Sequence, residues 1–288
     1  PPIFGPAGGG QEAPKAFKKY FYGWWKTELI RSGISKLLLR ANPDVRKTMR
    51  NASLVLTTNE DTYNMARDNG AINAKMFLDT SLPESFFPEA YPVRVPKKEL
   101  QILWVGRLFA RKGLPLVLEA LSLVRPDIPF KLTILGDGHM HDMVPGLIAQ
   151  YGLQGKVDWK GQVPWEEVKR GYTERDLFMF CSLRDSSAAQ FLEAMAYGLP
   201  VLTLELHGGK NLVPDNAGIK VPVITPELTA KALAEAVETL YDHPEKREAM
   251  GRAGYNFART QTWPLKTKHI ADFYNKFNKP KVKTVLEL

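Results

Sequence analysis

The sequence predicts an α/β protein with one complete Rossmann-like domain on a parallel sheet and a partial second Rossmann-like domain before it. From Glu99 onward, short apolar runs alternate with segments of helical spacing. Such apolar runs are typical of parallel strands buried on both faces, and repeated strand–helix alternation is typical of a doubly wound sheet. Before Glu99 the same alternation occurs only briefly, so the first domain is expected to be incomplete.

Residues 1–98 form the first predicted region. A short strand at the start leads into Gly8, Gly9 and Gly10, and an aromatic, lysine-rich segment of helical spacing follows from Lys15. A strand near Leu54 and a helix from Glu60 come next. The last 17 residues contain Pro83, Pro88, Pro92 and Pro96, which is the composition of a linker. We therefore place the domain boundary near Lys97.

Residues 99–260 form the second predicted domain, and residues 261–288 form a terminal helix and tail that we expect to cross back to the first region. The predicted strands are QILWVGRL, FKLTILG, KVDWKGQV, DLFMFCSL, LPVLTLE and GIKVPV. The predicted helices are Leu114 to Leu123, His139 to Tyr151, Trp165 to Thr173, Gln190 to Tyr197, Thr229 to Tyr241, Pro244 to Thr260 and Trp263 to Phe277.

The composition favours a soluble globular protein. Apolar residues make up 44% of the 288 residues and charged residues 24%, and no apolar run approaches the length of a membrane-spanning helix. The single cysteine, Cys181, lies in an apolar strand and is expected to be a buried thiol. These features favour a reducing, cytoplasmic setting.

The net charge of +8 is concentrated between residues 15 and 50. Ten Lys and Arg residues occur there against two acids, and aromatic side chains interleave with the lysines. This segment could lie on an anionic membrane surface, as at the inner face of a membrane, or it could be a core helix with a solvated basic face. No nucleic-acid-binding module accompanies it, so nucleic acid is not an expected partner.

The segment from Ser182 to Glu205 contains the strongest chemical pattern. Asp185 is predicted in a loop, and Glu193 lies eight positions later on the first turns of a short helix. Gly198 can cap that helix. Small residues separate the two acids, so backbone N–H groups at the helix start stay open. Carboxylates beside such a helix start suit a ligand that carries both hydroxyls and phosphate.

This pattern resembles the paired-acid motif of the retaining glycosyltransferases of family 4, which have the GT-B fold. Those enzymes usually have Glu at both positions, whereas the first acid here is Asp185. The segments from Ile102 to Leu121 and from Phe130 to Gly138 are similar to the first and second strand units of the family's nucleotide-sugar domain. The resemblance implies that the start of the N-terminal domain is missing from this chain.

The resemblance also implies site residues. Arg107 and Lys112 would bind and neutralise the donor diphosphate, an assignment that agrees with two cations at the end of a strand. Asp185 would contact hydroxyls of the transferred sugar, and Glu193 would hold the ribose hydroxyls. Backbone groups of the loop and helix start would assist; they belong to Ser186, Ser187, Ala188 and Ala189.

Glycine-rich turns border the expected donor site. Gly106 ends a strand, and Gly136 and Gly138 permit a tight turn under the nucleotide. Asp137 either contacts the donor or only caps the helix that starts at His139. Val163 lies in a region that borders the base in relatives. The run Gly8, Gly9 and Gly10 is either a cleft loop opposite the donor or a flexible turn.

No metal or other cofactor is predicted. The five histidines do not cluster with cysteine, and no DxD pair occurs. Leaving-group stabilisation would therefore come from Arg107, Lys112 and helix dipoles.

The resulting hypothesis is a glycosyltransferase, hexosyltransferase-like and retaining. It would move a sugar from a nucleotide diphosphate sugar to a carbohydrate or lipid-linked acceptor in polysaccharide, lipopolysaccharide or glycolipid synthesis, as a peripheral protein at the inner face of the membrane. The alternatives are a nucleotide-sugar-binding fragment without catalysis and a membrane-associated adaptor on the same fold. The donor sugar, the base and the oligomeric state stay open.

Overall fold

The computed structural model describes residues 2–95 and 97–277. The strands are β1 (Ile3–Ala7), β2 (Leu54–Thr57), β3 (Ala74–Met76), β4 (Leu100–Val105), β5 (Phe130–Leu135), β6 (Val157–Trp159), β7 (Leu177–Met179), β8 (Val201–Leu204) and β9 (Gly218–Val221). The α-helices are α1 (Trp25–Ala41), α2 (Pro43–Asn51), α3 (Glu60–Asp68), α4 (Leu114–Ser122), α5 (Val144–Gln150), α6 (Trp165–Glu174), α7 (Ala189–Ala196), α8 (His207–Leu212), α9 (Pro226–Asp242), α10 (Pro244–Arg259) and α11 (Trp263–Phe277). Short 3-10 helices cover Lys15–Trp24, Glu84–Phe86, Ala110–Lys112 and His141–Met143.

The six later strands form one parallel sheet, in the order β6-β5-β4-β7-β8-β9. Ile102 on β4 pairs with Leu132 of β5 on one side and with Leu177 of β7 on the other. The chain therefore moves outward from β4 through β5 and β6 and then returns to add β7 beside β4. This reversal is a topological switch point, where α/β sheets bind ligands beyond the carboxyl ends of the strands.

The first three strands form a smaller parallel sheet, in the order β1-β2-β3. Its own core contains Met49, Ala52, Val55, Ala66 and Ala71. The small sheet is the partial second Rossmann-like unit that the sequence predicts.

The aromatic segment from Lys15 is not one continuous helix, contrary to its spacing. The 3-10 helix Lys15–Trp24 is interrupted at Tyr22, whose backbone has φ 50° and ψ −127°, and α1 begins only at Trp25. Because of this break, the aromatic residues before Tyr22 and the residues of α1 face different surroundings.

Residues before the break pack against the six-stranded sheet domain. Phe17, Tyr20 and Phe21 are buried in the same core as that sheet. Lys19 stays at the surface and pairs with Glu119 of α4 and Glu227 of α9, each at 3.0 Å. For these residues the structure agrees with the alternative of a core segment that has a solvated basic face.

The linker and the terminal helix make specific backbone contacts. The guanidinium of Arg94 donates to four backbone carbonyls, those of Arg175 (2.5 Å), Tyr197 (2.7 Å), Tyr172 (3.0 Å) and Gly198 (3.1 Å). Helix α11 contacts residues 77–80: the Nζ of Lys266 donates to the carbonyls of Leu78 and Thr80, and the ring centroids of Phe77 and Phe273 are 5.7 Å apart. Thr262, just before α11, forms a parallel bridge with Leu82. The tail predicted after Phe277 lies outside the described residues.

Within the described part, no helix has both the length and the apolar character needed to cross a membrane.

The helix predicted from His139 begins later than expected. A 3-10 turn covers His141–Met143, and α5 starts at Val144. Pro145 occupies the first turn of α5. Proline lacks a backbone N–H and is tolerated only at such a position, so it fixes the start of the helix.

Gly113 provides a test of how closely the segments after β4 and β7 approach each other. Its φ is +73°, and a Cβ there would lie 1.9 Å from the carbonyl oxygen of Cys181. Gly113→Ala should therefore lower the free energy of unfolding by about 3 kcal/mol or more, from left-handed strain and backbone overlap together. Gly152→Ala is the matched control, because Gly152 has φ +65° but open space around it. Urea denaturation that gives equal losses for both variants would refute the close approach.

Candidate functional site

The loops after β4 and β7 meet at the switch point. The backbone N–H of Leu183 and the hydroxyl of Ser182 both donate to the carbonyl of Arg111, at 2.8 and 3.0 Å. On the other side of β4, a Cβ on Gly136 would lie 1.9 Å from the carbonyl oxygen of Gly106. Only glycine fits at Gly136, where φ is +131°. The segments that follow β4, β5 and β7 are thus held within contact distance of one another.

Lys112 and Asp185 form a buried ion pair at this junction. The Nζ of Lys112 donates to Oδ2 of Asp185, and the two side chains are 10% and 15% exposed. Burial lowers the pKa of Lys112, and the charge of Asp185 opposes that effect. The structure therefore brings together two residues that the sequence assigned separately, one to phosphate and one to sugar.

A cleft of about 470 Å³ opens beside β4. Arg107 is exposed and lines it. Of the other predicted residues, Gly106, Gly136, Asp137 and Val163 also line it. Gln162 and Gln190, which the sequence analysis did not select, are lining residues as well. The arrangement offers one cation and several amide groups to an anionic, polar ligand.

Asp137 does not cap a helix. Its Oδ1 accepts from the backbone N–H of Gly138 at 2.7 Å and lies 2.9 Å from Nδ1 of His141. The contact with His141 is the main cause that lowers the pKa of Asp137. The turn itself is fixed by the indole of Trp159, which donates to the carbonyl of Gly136 at 3.0 Å. The cap alternative is therefore wrong, and a contact of Asp137 with the donor remains a prediction.

Glu193 lies on α7 and is paired with a tyrosine. The hydroxyl of Tyr172 donates to its Oε2 at 2.7 Å. Burial raises the pKa of Glu193, and the hydrogen bond from Tyr172 partly offsets this. Gly198 ends α7 with φ +67°, as the capping prediction requires.

The loop between Asp185 and α7 is held by residues of the small-sheet region. Ser186 Oγ lies 2.7 Å from Oγ1 of Thr58 and accepts from the side-chain amide of Asn59 at 3.1 Å. Ser187 Oγ donates to the carboxylate of Asp79. The backbone N–H groups of Ser187, Ala188 and Ala189 donate no hydrogen bond within the described residues. The loop is thus fixed by its side chains while its backbone donors stay free.

The glycine run lies against this loop. A Cβ on Gly8 would be 2.5 Å from Oγ of Ser186, and the carbonyl of Gly9 accepts from the hydroxyl of Thr62 at 2.7 Å. Gly10 faces Asp61. Gly8 therefore contacts Ser186, but the three glycines are not among the lining residues of the 470 Å³ cleft, and their role as a cleft loop remains a prediction.

His207 makes a second contact between the two regions. Its Nδ1 lies 2.9 Å from Oδ2 of Asp61, and its Nε2 lies 3.0 Å from the carbonyl of Glu12. The bond to His207 is the largest cause that lowers the pKa of Asp61. Lys210 pairs with Glu60 at 2.9 Å beside it.

Four residues that hold the loop after Asp185 and its neighbour were not predicted from the sequence: Thr58, Asn59, Asp79 and His207. One signal was available for the first two, because Thr58 and Asn59 directly follow the buried strand β2, where polar residues face a crevice. Among residues 2–95 and 97–277, no group of three or more His, Cys, Asp or Glu side chains could hold a metal ion.

The Tyr172–Glu193 pair predicts a pH-dependent loss of stability in Tyr172→Phe. Because burial raises the pKa of Glu193 above 4.5, the native state holds that proton more tightly than the unfolded chain, and this group's contribution to stability falls as pH rises above 4.5. Removing the hydroxyl raises the pKa further. The variant should therefore lose about 1.5–3 kcal/mol near pH 8, and clearly less near pH 4.5.

Tyr197→Phe is the control for this comparison. Tyr197 donates to the carbonyl of Phe86 at 3.1 Å, and that acceptor does not titrate. Urea unfolding should show the same loss for Tyr197→Phe at both pH values. A pH response in Tyr172→Phe no larger than that of the control would mean that Glu193 is not the titrating partner.

Known proteins resemble this chain in both sequence and fold. The family of glycosyl transferases group 1 matches residues 89–257. The putative colanic acid biosynthesis glycosyltransferase WcaL of Escherichia coli (strain K12) is 34% identical over 152 residues, which are 50% of this chain and 36% of WcaL. The D-inositol 3-phosphate glycosyltransferase of Arthrobacter sp. (strain FB24) is 29% identical over 188 residues, which are 62% of this chain and 44% of that enzyme. This chain thus spans less than half the length of these relatives.

Two solved structures show the same fold. Sucrose-phosphate synthase from Thermosynechococcus elongatus superposes with a TM-score of 0.67 and 23% identity, over 81% of this chain and 60% of that one. Anabaena Alr3699/HepE in complex with UDP superposes with a TM-score of 0.68 and 18% identity, over 84% of this chain and 68% of that one. The fold is that of the GT-B glycosyltransferases. Since the family match covers more than half of the chain, this protein belongs to the group 1 glycosyl transferases.

Proposed function

We propose that this protein transfers a sugar from a nucleotide diphosphate sugar to an acceptor hydroxyl with retention of configuration. The observation that carries the proposal is the cleft of about 470 Å³ at the switch point, lined by Arg107 and glycine turns in a chain of this family. A crevice at this position, with a cation and free backbone donors nearby, suits a nucleotide diphosphate.

In this proposal the donor lies across the three strand ends. Arg107 binds the diphosphate, and Gly106, Gly136, Asp137, Gly138 and Val163 border the nucleotide. Glu193 accepts from the ribose hydroxyls, and Asp185 from hydroxyls of the transferred sugar. Lys112 holds Asp185 and contributes its charge to the diphosphate side. The free N–H groups of residues 187–189 complete the set of donors.

The chemical step uses a front-face displacement. The acceptor oxygen bonds to the anomeric carbon as the bond from that carbon to the diphosphate oxygen breaks, and the acceptor's proton passes to the departing phosphate. Arg107 and Lys112 stabilise the charge that develops on the leaving group, without a metal ion. Proton NMR of the product's anomeric centre measures retention, and a trapped covalent sugar–enzyme adduct would refute the front-face step.

The acceptor is proposed to be a carbohydrate or a lipid-linked saccharide. Two relatives are named for colanic acid and amylovoran biosynthesis, which favours polysaccharide or glycolipid synthesis here.

We propose a cytoplasmic protein that meets an anionic membrane surface through α1. This helix exposes Leu29, Ile30, Ile34, Leu37 and Leu38 beside Lys26 and Lys36. Co-sedimentation with anionic vesicles that is unchanged in an Ile30→Ser, Leu37→Ser variant would refute this contact.

Calorimetric titration with UDP, GDP and ADP in the presence of EDTA tests the donor site. One nucleotide should bind saturably, and Arg107→Ala should weaken it about tenfold or more because a charge-assisted hydrogen bond is lost. Glu193→Gln should weaken it as well. Arg252→Ala is the control, since this exposed arginine lies on α10 and pairs with Glu248.

The outcomes of this titration separate the candidate functions. Binding of a nucleotide with no sugar transfer from the matching donor would favour the non-catalytic nucleotide-sugar-binding module. If no nucleotide binds, or if Arg107→Ala binds as tightly as the wild type, the proposed donor site is wrong.

A further inference from the structure

A second pocket, of about 220 Å³, lies between the aromatic segment and the loop after β4. Four of its eight lining residues carry rings: Phe21, Trp24, Phe109 and His139. The rings are inclined to one another rather than stacked. The centroids of Trp24 and His139 are 5.3 Å apart at 42°, and those of Phe109 and His139 are 4.8 Å apart at 80°. Flat apolar surfaces therefore meet at angles and leave a concave site.

Polar groups at the edge of this pocket are held in place by fixed partners. Arg111 lies 5.5 Å from the centroid of the Phe109 ring and donates to the carbonyl of Arg184 at 3.1 Å. The buried carboxylate of Glu28 contacts Arg31 at 2.9 Å and Arg184 at 2.6 Å. The guanidinium of Arg111, a hydrogen-bond donor, and the carboxylate of Glu28, a hydrogen-bond acceptor, are thus held in place beside the aromatic wall.

The pocket adjoins the proposed site of sugar transfer but is distinct from the nucleotide cleft. The guanidinium of Arg111 is 3.9 Å from Oδ2 of Asp185, and Arg184, which Glu28 binds, precedes Asp185 in the chain. The two pockets share no lining residue. A molecule in the aromatic pocket would therefore lie one side chain away from the Lys112–Asp185 pair.

We propose that this pocket binds a pyranose ring of the acceptor, an inference that rests on the proposed transferase function. A pyranose has apolar C–H faces and a polar hydroxyl edge, which match the aromatic wall and the Arg111 and Glu28 groups. The volume fits one ring and is smaller than the usual range for larger ligands. The ring would be held so that one of its hydroxyls, or a neighbouring one, points toward Asp185 and the donor sugar.

Ligand-observed saturation-transfer NMR tests this assignment on the 288-residue chain. The probes are the methyl pyranosides of glucose, galactose and mannose, and hexyl β-D-glucopyranoside, whose ring and chain protons are resolved. At least one probe should receive saturation on its ring protons. Trp24→Ala should weaken its affinity about fivefold, because an aromatic contact worth about 1 kcal/mol is lost. His139→Ala, which removes an exposed ring from the same wall, should also weaken it.

Trp165→Ala is the matched control, since Trp165 is as exposed as Trp24, at 40% against 39%, and lies outside this pocket. The control should retain both probe and nucleotide binding, and Trp24→Ala should keep the nucleotide affinity of the wild type. Ring saturation that is absent for every probe, unchanged in Trp24→Ala and His139→Ala, or confined to the hexyl chain would overturn the proposal. Failure of the proposed function would appear separately, as loss of nucleotide binding in the wild type.

Discussion

The ion pair between Lys112 and Asp185 is the interaction on which the candidate site depends. It joins the loop after β4 to the loop after β7, the two loops at the switch point of the sheet. The pair can form because Gly113 lets the backbone approach Cys181 without a side chain between them. Both charges are largely buried, so each would be costly without the other, and losing one partner would leave an uncompensated charge. The position of Asp185, the acid proposed to bind the sugar, is therefore set by backbone packing and by one cation, rather than by the acid alone.

The loop that follows Asp185 is held from the other side by short polar contacts. Ser186 and Ser187 reach hydroxyl, amide and carboxylate groups of the small-sheet region, and His207 does the same one loop further on. The neutral hydrogen bonds of Ser186 contribute about 1 kcal/mol each, and the bonds from Ser187 and His207 to carboxylates about 1.5–3 kcal/mol each. The contacts therefore fix the position of the loop after Asp185 relative to the small sheet.

The strands and the motif acids were predictable because their signals are local. Six apolar runs after Glu99 predicted β4 to β9, and Gly198 predicted the end of α7. Contacts between residues distant in sequence were not predictable. Neither the pairing of Lys112 with Asp185 nor that of Tyr172 with Glu193 leaves a mark in the spacing of those residues. The prediction of a helix from His139 was wrong at its start, because Pro145 fixes the first turn of α5. The prediction of a continuous helix from Lys15 was wrong because nothing in the spacing marks the break at Tyr22. The roles of the predicted site residues remain predictions.

The loop from Arg107 to Arg111 contributes residues to both of the proposed substrate sites. Arg107 lines the cleft proposed to bind the nucleotide, and Arg111, four residues later, lines the aromatic pocket. Lys112 follows immediately and holds Asp185. A transfer reaction requires the donor's anomeric carbon and the acceptor's hydroxyl to meet at one point, and much of an enzyme's rate gain can come from that positioning. In this chain the residues assigned to diphosphate, donor sugar and acceptor are connected through a single loop that is anchored by a buried ion pair. A shift of that loop would displace both substrates together, so their mutual geometry would be preserved better than if each pocket were built on an independent element.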